Sequence, residues 1–161
     1  MIVADRRATA KPGRGLARVA AAAGGGFLLA FLWMDLMFDV QAFALSGGPA
    51  DAGILASIAA YYRRVTTEAS PMSHLIAAMM LATVAASLPR ARSKRGMIAL
   101  VLAVVPIALA LLRVVPNAVR LGTAADPLAV QADLASAILR EHIVCFASMA
   151  TFTALQLTDR D

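Results

Sequence analysis

Four long stretches of the chain consist mostly of apolar residues, at about residues 16–43, 71–88, 96–115 and 138–157. A helix needs roughly 20 predominantly apolar residues to cross the hydrocarbon core of a bilayer. Each stretch is close to that length or longer, and most charged residues lie between the stretches or near their ends. The pattern therefore predicts an all-α fold, an integral membrane four-helix bundle that occupies residues 16–158.

A fifth, shorter helix is predicted in the connection between the first two spans. Ile54, Ile58, Tyr61, Tyr62 and Val65 recur there at the spacing of one helix face. The segment is too short to cross a bilayer. We therefore expect an interfacial helix at the membrane surface, with its tyrosines at the level of the headgroups.

Local signals predict where the helices begin and bend. Ser70 is the expected N-cap of the second span, with Pro71 at its first helical position. Pro106 should kink the third span, because proline removes a backbone donor and clashes with the preceding turn. Asp126 is expected to cap a helix that begins at Pro127 and runs unbroken into the fourth span.

Composition narrows the class of protein. Sixty per cent of the 161 residues are hydrophobic, more than a soluble domain of this size can bury in one core. The net charge of +5 comes from basic residues beside apolar spans with few aromatic residues among them, so we interpret them as topology signals and predict no nucleic-acid partner. The single cysteine, Cys145, excludes an intrachain disulfide and a cysteine-based zinc site, and its apolar neighbours predict a buried thiol.

Basic residues also predict the orientation in the membrane. The beginning of the chain and the second connection carry Arg6, Arg7, Lys11, Arg14, Arg18, Arg90, Arg92, Lys94 and Arg95. Because positively charged segments stay on the cytoplasmic side, both termini should be cytoplasmic and the first and third connections should face outward. We predict a multi-pass protein of the cell membrane with a disordered basic tail at residues 1–15.

Small residues recur at four-residue spacing in the first span. The pairs are Ala21/Gly25, Ala22/Gly26 and Gly26/Ala30. Such pairs let two helices approach closely in a membrane. They predict close helix packing, and they leave open a homo-oligomer or a membrane partner subunit against this face of the first helix.

Ionisable and polar residues from four segments are expected at one depth, near the outer ends of the spans. They are Asp35, Asp39, His74, Arg113, Asn117, Arg120, Arg140, Glu141 and His142. An aspartate near the bilayer centre costs about 2.5–3.5 kcal/mol on insertion scales. We therefore expect the two aspartates to face the bundle interior, with arginine partners from Arg113, Arg120 or Arg140.

This outer cluster has several interpretations. It fits a structural ion-pair network, or a pocket in which His142 and Asp35 are the candidate catalytic groups, since histidine titrates near neutral pH. Asp35, Asp39, His74, Glu141 and His142 are ligand types that a metal site uses, but no HxxH or ExxH spacing occurs, so no metal is assigned. No pattern identifies a cofactor.

The second half of the chain resembles a known family. A third span that ends in Val115-Pro116-Asn117, a polar amphipathic stretch, and then Arg140-Glu141-His142 are similar to the anthrone oxygenase-like family of small four-helix membrane proteins. The resemblance implies that Asn117, Arg140 and His142 line a pocket for a hydrophobic ligand, aromatic molecules included.

Three functions remain as hypotheses. The first is a membrane protein whose outer pocket binds or modifies a small hydrophobic molecule. The second is an accessory or structural membrane subunit, in which the cluster fixes helix packing. The third is a small oligomeric transporter, although the chain shows no internal repeat of the kind that transporter folds often have.

Overall fold

A computed structural model describes residues 12–45 and 51–158. Every regular element in that part of the chain is helical. The helices are α1 (Pro12–Asp39), α2 (Ala52–Arg63), α3 (Met72–Ser87), α4 (Lys94–Leu109), α5 (Val115–Gly122) and α6 (Leu128–Thr158). Short 3-10 turns extend α1 over Val40–Leu45 and α3 over Leu88–Arg90, and π-helical turns follow α2 at Arg64–Glu68 and α4 at Ala110–Val114.

Four helical stretches are long and apolar enough to cross a membrane. They are Gly15–Leu45, Met72–Arg90, Lys94–Gly122 and Leu128–Thr158. This confirms the prediction of an all-helical chain with four long apolar helices at these positions. The first helix already begins at Pro12, inside the predicted tail of residues 1–15, and residues 1–11 of that tail lie outside the described part.

Two predicted helix starts are wrong by one residue each. The second long helix begins at Met72, and neither Ser70 nor Pro71 makes a side-chain cap; the Met72 amide instead donates to the carbonyl of Ala69 at 2.7 Å. The last helix begins at Leu128, because the carbonyl of Pro127 accepts its first hydrogen bond. That helix does run unbroken to Thr158, as predicted.

The third long helix continues through both of its prolines. Pro106 lies inside α4, and Pro116 lies in the first turn of α5. Proline cannot donate to the carbonyl four residues earlier. The π-helical turn Ala110–Val114 precedes Pro116 directly and changes the hydrogen-bond pattern there, so the helix continues to Gly122. Such π-bulges occur often at functional sites.

Two apolar clusters form the core of the bundle. One lies among α1, α4 and α6, where Ala21, Leu28, Ala103 and Phe152 are buried. The other lies at the opposite end and includes residues of the short helix α2, with the buried side chains Ala42, Leu45, Leu55, Ile58, Tyr62, Val114, Leu121 and Ile138 among its members.

The predicted short helix exists, but one of its two tyrosines, Tyr62, is buried in the bundle, whereas Tyr61 is partly exposed. The Asp51 carboxylate caps α2 by accepting from the Gly53 amide at 2.7 Å. Leu55, Ile58 and Tyr62 then fall on one face and are at most 2% exposed. Burying that apolar face against the long helices outweighs an interfacial position for Tyr62.

Glycine permits the close approach of α1 to two neighbours. A Cβ atom at Gly24 would lie 2.2 Å from the Thr83 hydroxyl of α3, and one at Gly25 would lie 2.5 Å from the Thr153 hydroxyl of α6. A Cβ atom at Gly26 would meet nothing within 4 Å. Close packing within the chain therefore occurs at Gly25 and at the neighbouring Gly24, which was not among the predicted pairs, whereas Gly26 faces no other part of the described chain.

Polar contacts join the connection after α3 to the end of α6. Arg90 donates to the Gln156 side chain at 2.7 Å, and Arg95 donates to the Thr158 hydroxyl at 2.9 Å. The basic second connection therefore lies at the same end of the bundle as the C-terminal end of α6. The predicted topology requires both segments to lie on the same side of the membrane.

Candidate functional site

A cavity of about 270 Å³ opens between α3 and the α4–α5 helix, with α1 and α6 behind it. Most of its wall is apolar, and the π-helical turn contributes Ala110, Leu111 and Val114. The polar side chains at the wall are Asp35, Tyr62, Thr66, Ser73 and His142. An apolar cavity with a few convergent polar groups is the usual form of a small-molecule site.

Behind this wall, Asp39 is the most deeply buried charged group among the described residues. It is 1% exposed and lies one helical turn from Asp35 on α1. Its Oδ2 lies 2.5 Å from His142 Nδ1 of α6, and its Oδ1 accepts a hydrogen bond from the Tyr62 hydroxyl of α2. Three separate helices therefore meet at this carboxylate, and both of its oxygens have partners.

Asp35 faces the cavity, and a hydrogen bond to one of its carboxylate oxygens fixes the side chain. Its Oδ1 accepts a hydrogen bond from the Tyr61 hydroxyl at 2.5 Å, and its Oδ2 lies 3.9 Å from His142 Nε2. The ring of Tyr61 stacks on Phe38, with centroids 4.0 Å apart. The second oxygen of Asp35 and the Nε2 of His142 are the groups that the pocket offers to a ligand.

Both tyrosines serve as hydrogen-bond donors. Burial and the adjacent carboxylate raise the pKa of Tyr61, and burial and Asp39 raise the pKa of Tyr62 further. The unperturbed value is about 10, so both hydroxyls keep their protons at neutral pH. Each can therefore stabilise a carboxylate acceptor.

The arginines expected as partners of the aspartates pair elsewhere, so that prediction is wrong. Arg113 Nε donates to Glu141 Oε1 at 2.6 Å, and Arg120 donates to both carboxylate oxygens of Asp126 at 2.8 Å. Arg120 lowers the pKa of Asp126 through these hydrogen bonds. The side chains of Arg113 and Arg120 are 63% and 57% exposed, so they point away from the buried aspartates.

The remaining predicted site residues do not join the pocket. His74 and Arg140 are exposed, and Asn117 is half-buried; none of the three lines the cavity. Glu141 is buried and bonded to Arg113, but its Oε2 has no hydrogen-bond partner within the described residues. Of the nine predicted residues, the structure brings together Asp35, Asp39 and His142.

Tyr61 and Tyr62 are the site residues that the sequence prediction missed. A signal for one of them was present, because Leu55, Ile58 and Tyr62 follow the i, i+3, i+7 spacing of one helix face. Interpreting that face as buried in protein would have directed Tyr62 into the bundle.

The arrangement of the acidic, histidine and cysteine side chains can be compared with that of a metal site. Within residues 12–45 and 51–158, no group of three or more histidine, cysteine or acidic side chains is arranged to hold a metal ion. Both oxygens of Asp39 are already bonded to Tyr62 and His142. The thiol of Cys145 is 1% exposed, as predicted, and donates to the Pro106 carbonyl at 3.5 Å.

The residues that the family resemblance implied can be compared with the cavity. Of the residues that the family resemblance implied, His142 lines the cavity, whereas Asn117 and Arg140 do not. No protein-family model, no curated protein and no solved structure matches the sequence or its fold.

Proposed function

We propose that this chain is a multi-pass membrane protein that binds a small, largely apolar molecule in the cavity between α3 and the α4–α5 helix. One observation carries the proposal: an open apolar cavity ends on a buried polar cluster in which Asp35 Oδ2 and His142 Nε2, 3.9 Å apart, make no hydrogen bond within the described part of the chain. The ligand's apolar body lies along the helices, and its one polar group meets these two atoms.

The size of the cavity limits the ligand. A protein cavity of about 150 Å³ lined by apolar side chains accepts benzene. The present cavity measures about 270 Å³, so it has room for one substituted ring or a molecule of similar bulk. Phe31 and the methionines Met34, Met72, Met80 and Met149 line it, and thioether sulfur makes favourable contacts with aromatic rings.

The ligand reaches this cavity from the bilayer. Leu111, Met72 and Val115 belong to the wall of this open cavity and are 43–55% exposed. In a membrane, such apolar positions face acyl chains. A lipophilic molecule dissolved in the outer half of the bilayer then enters sideways between α3 and α4.

The test blocks the cavity and uses an adjacent position as its control. Ala77 lines the cavity from α3 and is exposed, whereas the equally exposed Ala78 does not line it. We expect 4-tert-butylphenol to raise the unfolding temperature of the wild type and of Ala78→Phe, and to leave Ala77→Phe unshifted. A ligand at 100 times its Kd stabilises the folded state by about 2.7 kcal/mol. An equal shift in all three proteins would place the ligand outside the cavity.

A second candidate is an accessory membrane subunit, in which the buried cluster serves helix packing alone. It is favoured by the complete pairing of Asp39, whose two oxygens tie α1 to α2 and α6. Under this function, changes at His142 reduce stability and no ligand shifts the wild type. A panel of phenols, quinones and aromatic hydrocarbons without any stabilising member would favour it.

A further inference from the structure

The charges of the buried cluster do not balance. Asp35 and Asp39 are two acids, and within the described part of the chain His142 is the one basic group that contacts them. His142 lies 2.5 Å from Asp39 and 3.9 Å from Asp35, so the histidine is the partner of Asp39. Among the residues that the structure describes, no arginine or lysine forms an ion pair with either aspartate.

Asp35 therefore shares its one basic partner among the described residues with Asp39, and it lies farther from His142 than Asp39 does. Tyr61 supplies the hydrogen bond but no charge. A carboxylate withdrawn from water costs several kcal/mol unless an opposite charge compensates it. The side chain of Asp35 is 23% exposed and belongs to the cavity wall, so a compensating charge can reach it through the cavity.

We propose that the natural ligand of the cavity is a lipophilic cation, an amine whose positive charge lies against Asp35. This inference rests on the proposed function and names the class of its ligand. The cation takes the position beside Asp35 Oδ2, and its apolar substituents fill the space between α3 and α4.

The rest of the wall fits a cation. Besides His142, no basic residue of the described ranges lines the cavity. The two aspartates that His142 contacts outnumber its single charge, so the polar end of the cavity attracts a positive ligand. Phe31 and Tyr62 present aromatic rings, which attract cations through their π faces. The nearby Arg113 is engaged by Glu141 at 2.6 Å, and that pair does not belong to the wall.

The experiment compares two probes of the same shape that differ in charge. Phenyltrimethylammonium is a permanent cation, and tert-butylbenzene is its neutral isostere. Binding of each is measured by isothermal titration to the full-length protein in nanodiscs of zwitterionic lipid. We expect the wild type to prefer the cation by about tenfold or more, because a desolvated ion pair contributes at least about 1.4 kcal/mol over a neutral contact.

Two variants locate that preference. Asp35→Asn should weaken phenyltrimethylammonium binding by about tenfold and leave tert-butylbenzene binding unchanged, since only the charge is removed. Asp133→Asn removes an exposed acid of α6 that does not line the cavity. This control should bind both probes like the wild type, whereas equal losses in both variants would indicate a general surface-charge effect and overturn the proposal.

The failure of this inference differs from the failure of the proposed function. Equal wild-type affinity for the two probes would overturn the cation proposal, whereas binding of 4-tert-butylphenol would still support the proposed function. If none of the three ligands binds the wild type, both the cation proposal and the proposed function would be overturned. The wild-type comparison needs no variant, so it decides the question even if Asp35→Asn does not fold.

Discussion

The contact between Asp39 and His142 should stabilise the fold more than an ordinary hydrogen bond between membrane helices. The perturbation is a double-mutant cycle of the wild type, Asp39→Asn, His142→Leu and the double variant. In the wild type, Asp39 Oδ2 and His142 Nδ1 are 2.5 Å apart, and the two side chains are 1% and 5% exposed. Almost no water can replace the lost partner at either position.

The expected magnitude follows from that burial. Hydrogen bonds between transmembrane helices contribute about 0.6 kcal/mol on average and about 1.7 at most, because the unfolded chain in the membrane also finds partners. Removing one partner of a buried charged pair costs about 3–5 kcal/mol. We therefore expect His142→Leu to lower the free energy of unfolding by about 3 kcal/mol or more, with a coupling energy of about 2 kcal/mol.

A second cycle supplies the internal comparison. Asp35→Asn and Tyr61→Phe remove the partly buried bond between Tyr61 and Asp35. Asp35 keeps 23% exposure, so water can replace the hydroxyl. The coupling energy of this pair should stay within the ordinary range of about 0.6–1.7 kcal/mol.

The assay is unfolding of the purified protein in dodecylmaltoside micelles by increasing fractions of sodium dodecyl sulfate, followed by far-ultraviolet circular dichroism. Its slope and midpoint give the free energy of unfolding of each variant. A coupling energy for Asp39 and His142 of about 0.6 kcal/mol or less would refute the reasoning. So would equal coupling in the two cycles, because the deeper burial of the Asp39–His142 pair should make its coupling the larger one.

Two further predictions concern helix packing and topology. Gly24→Ala should destabilise the bundle by about 1–3 kcal/mol, because its Cβ would lie 2.2 Å from the Thr83 hydroxyl. Gly26→Ala should be neutral or stabilising, because nothing lies within 4 Å of its Cβ and alanine favours helix. The same unfolding assay measures both variants, and equal effects would contradict the packing of α1 on α3. In a Cys145→Ser background, a cysteine at Thr123 should react with a membrane-impermeant maleimide applied to intact cells, and a cysteine at Ser93 should react only after lysis; the reverse pattern would invert the predicted topology.

The number and type of the helices could be predicted from the sequence alone. A backbone in hydrocarbon must satisfy its own hydrogen bonds, so long apolar stretches have few alternatives to helix. The same one-dimensional pattern indicated α2 through the spacing of Ile54, Ile58 and Tyr61. Helix ends were less well determined: the carboxylate of Asp126 accepts from Arg120 instead of capping the last helix, and the Met72 amide donates to the Ala69 carbonyl.

The candidate site was only half determined by the sequence. The insertion cost of Asp35 and Asp39 predicted that both face the interior, and the depth of His142 placed it in the same cluster. Which side chains pair with Asp35 and Asp39 was decided by the rotation of each helix about its axis and by the position of α2. Long arginine side chains keep their charges near water, so Arg113 and Arg120 stay largely exposed and pair with Glu141 and Asp126 instead of Asp35 and Asp39.

The cavity depends on tertiary structure alone. Hydrophobic periodicity indicates which residues avoid water, but it does not distinguish a side chain packed against another helix from one that faces an open space. In this bundle α3 and the α4–α5 helix leave about 270 Å³ between them. The alignment of that space with Asp35 and His142 arises because helices distant in sequence meet at one depth, and no local pattern encodes that meeting.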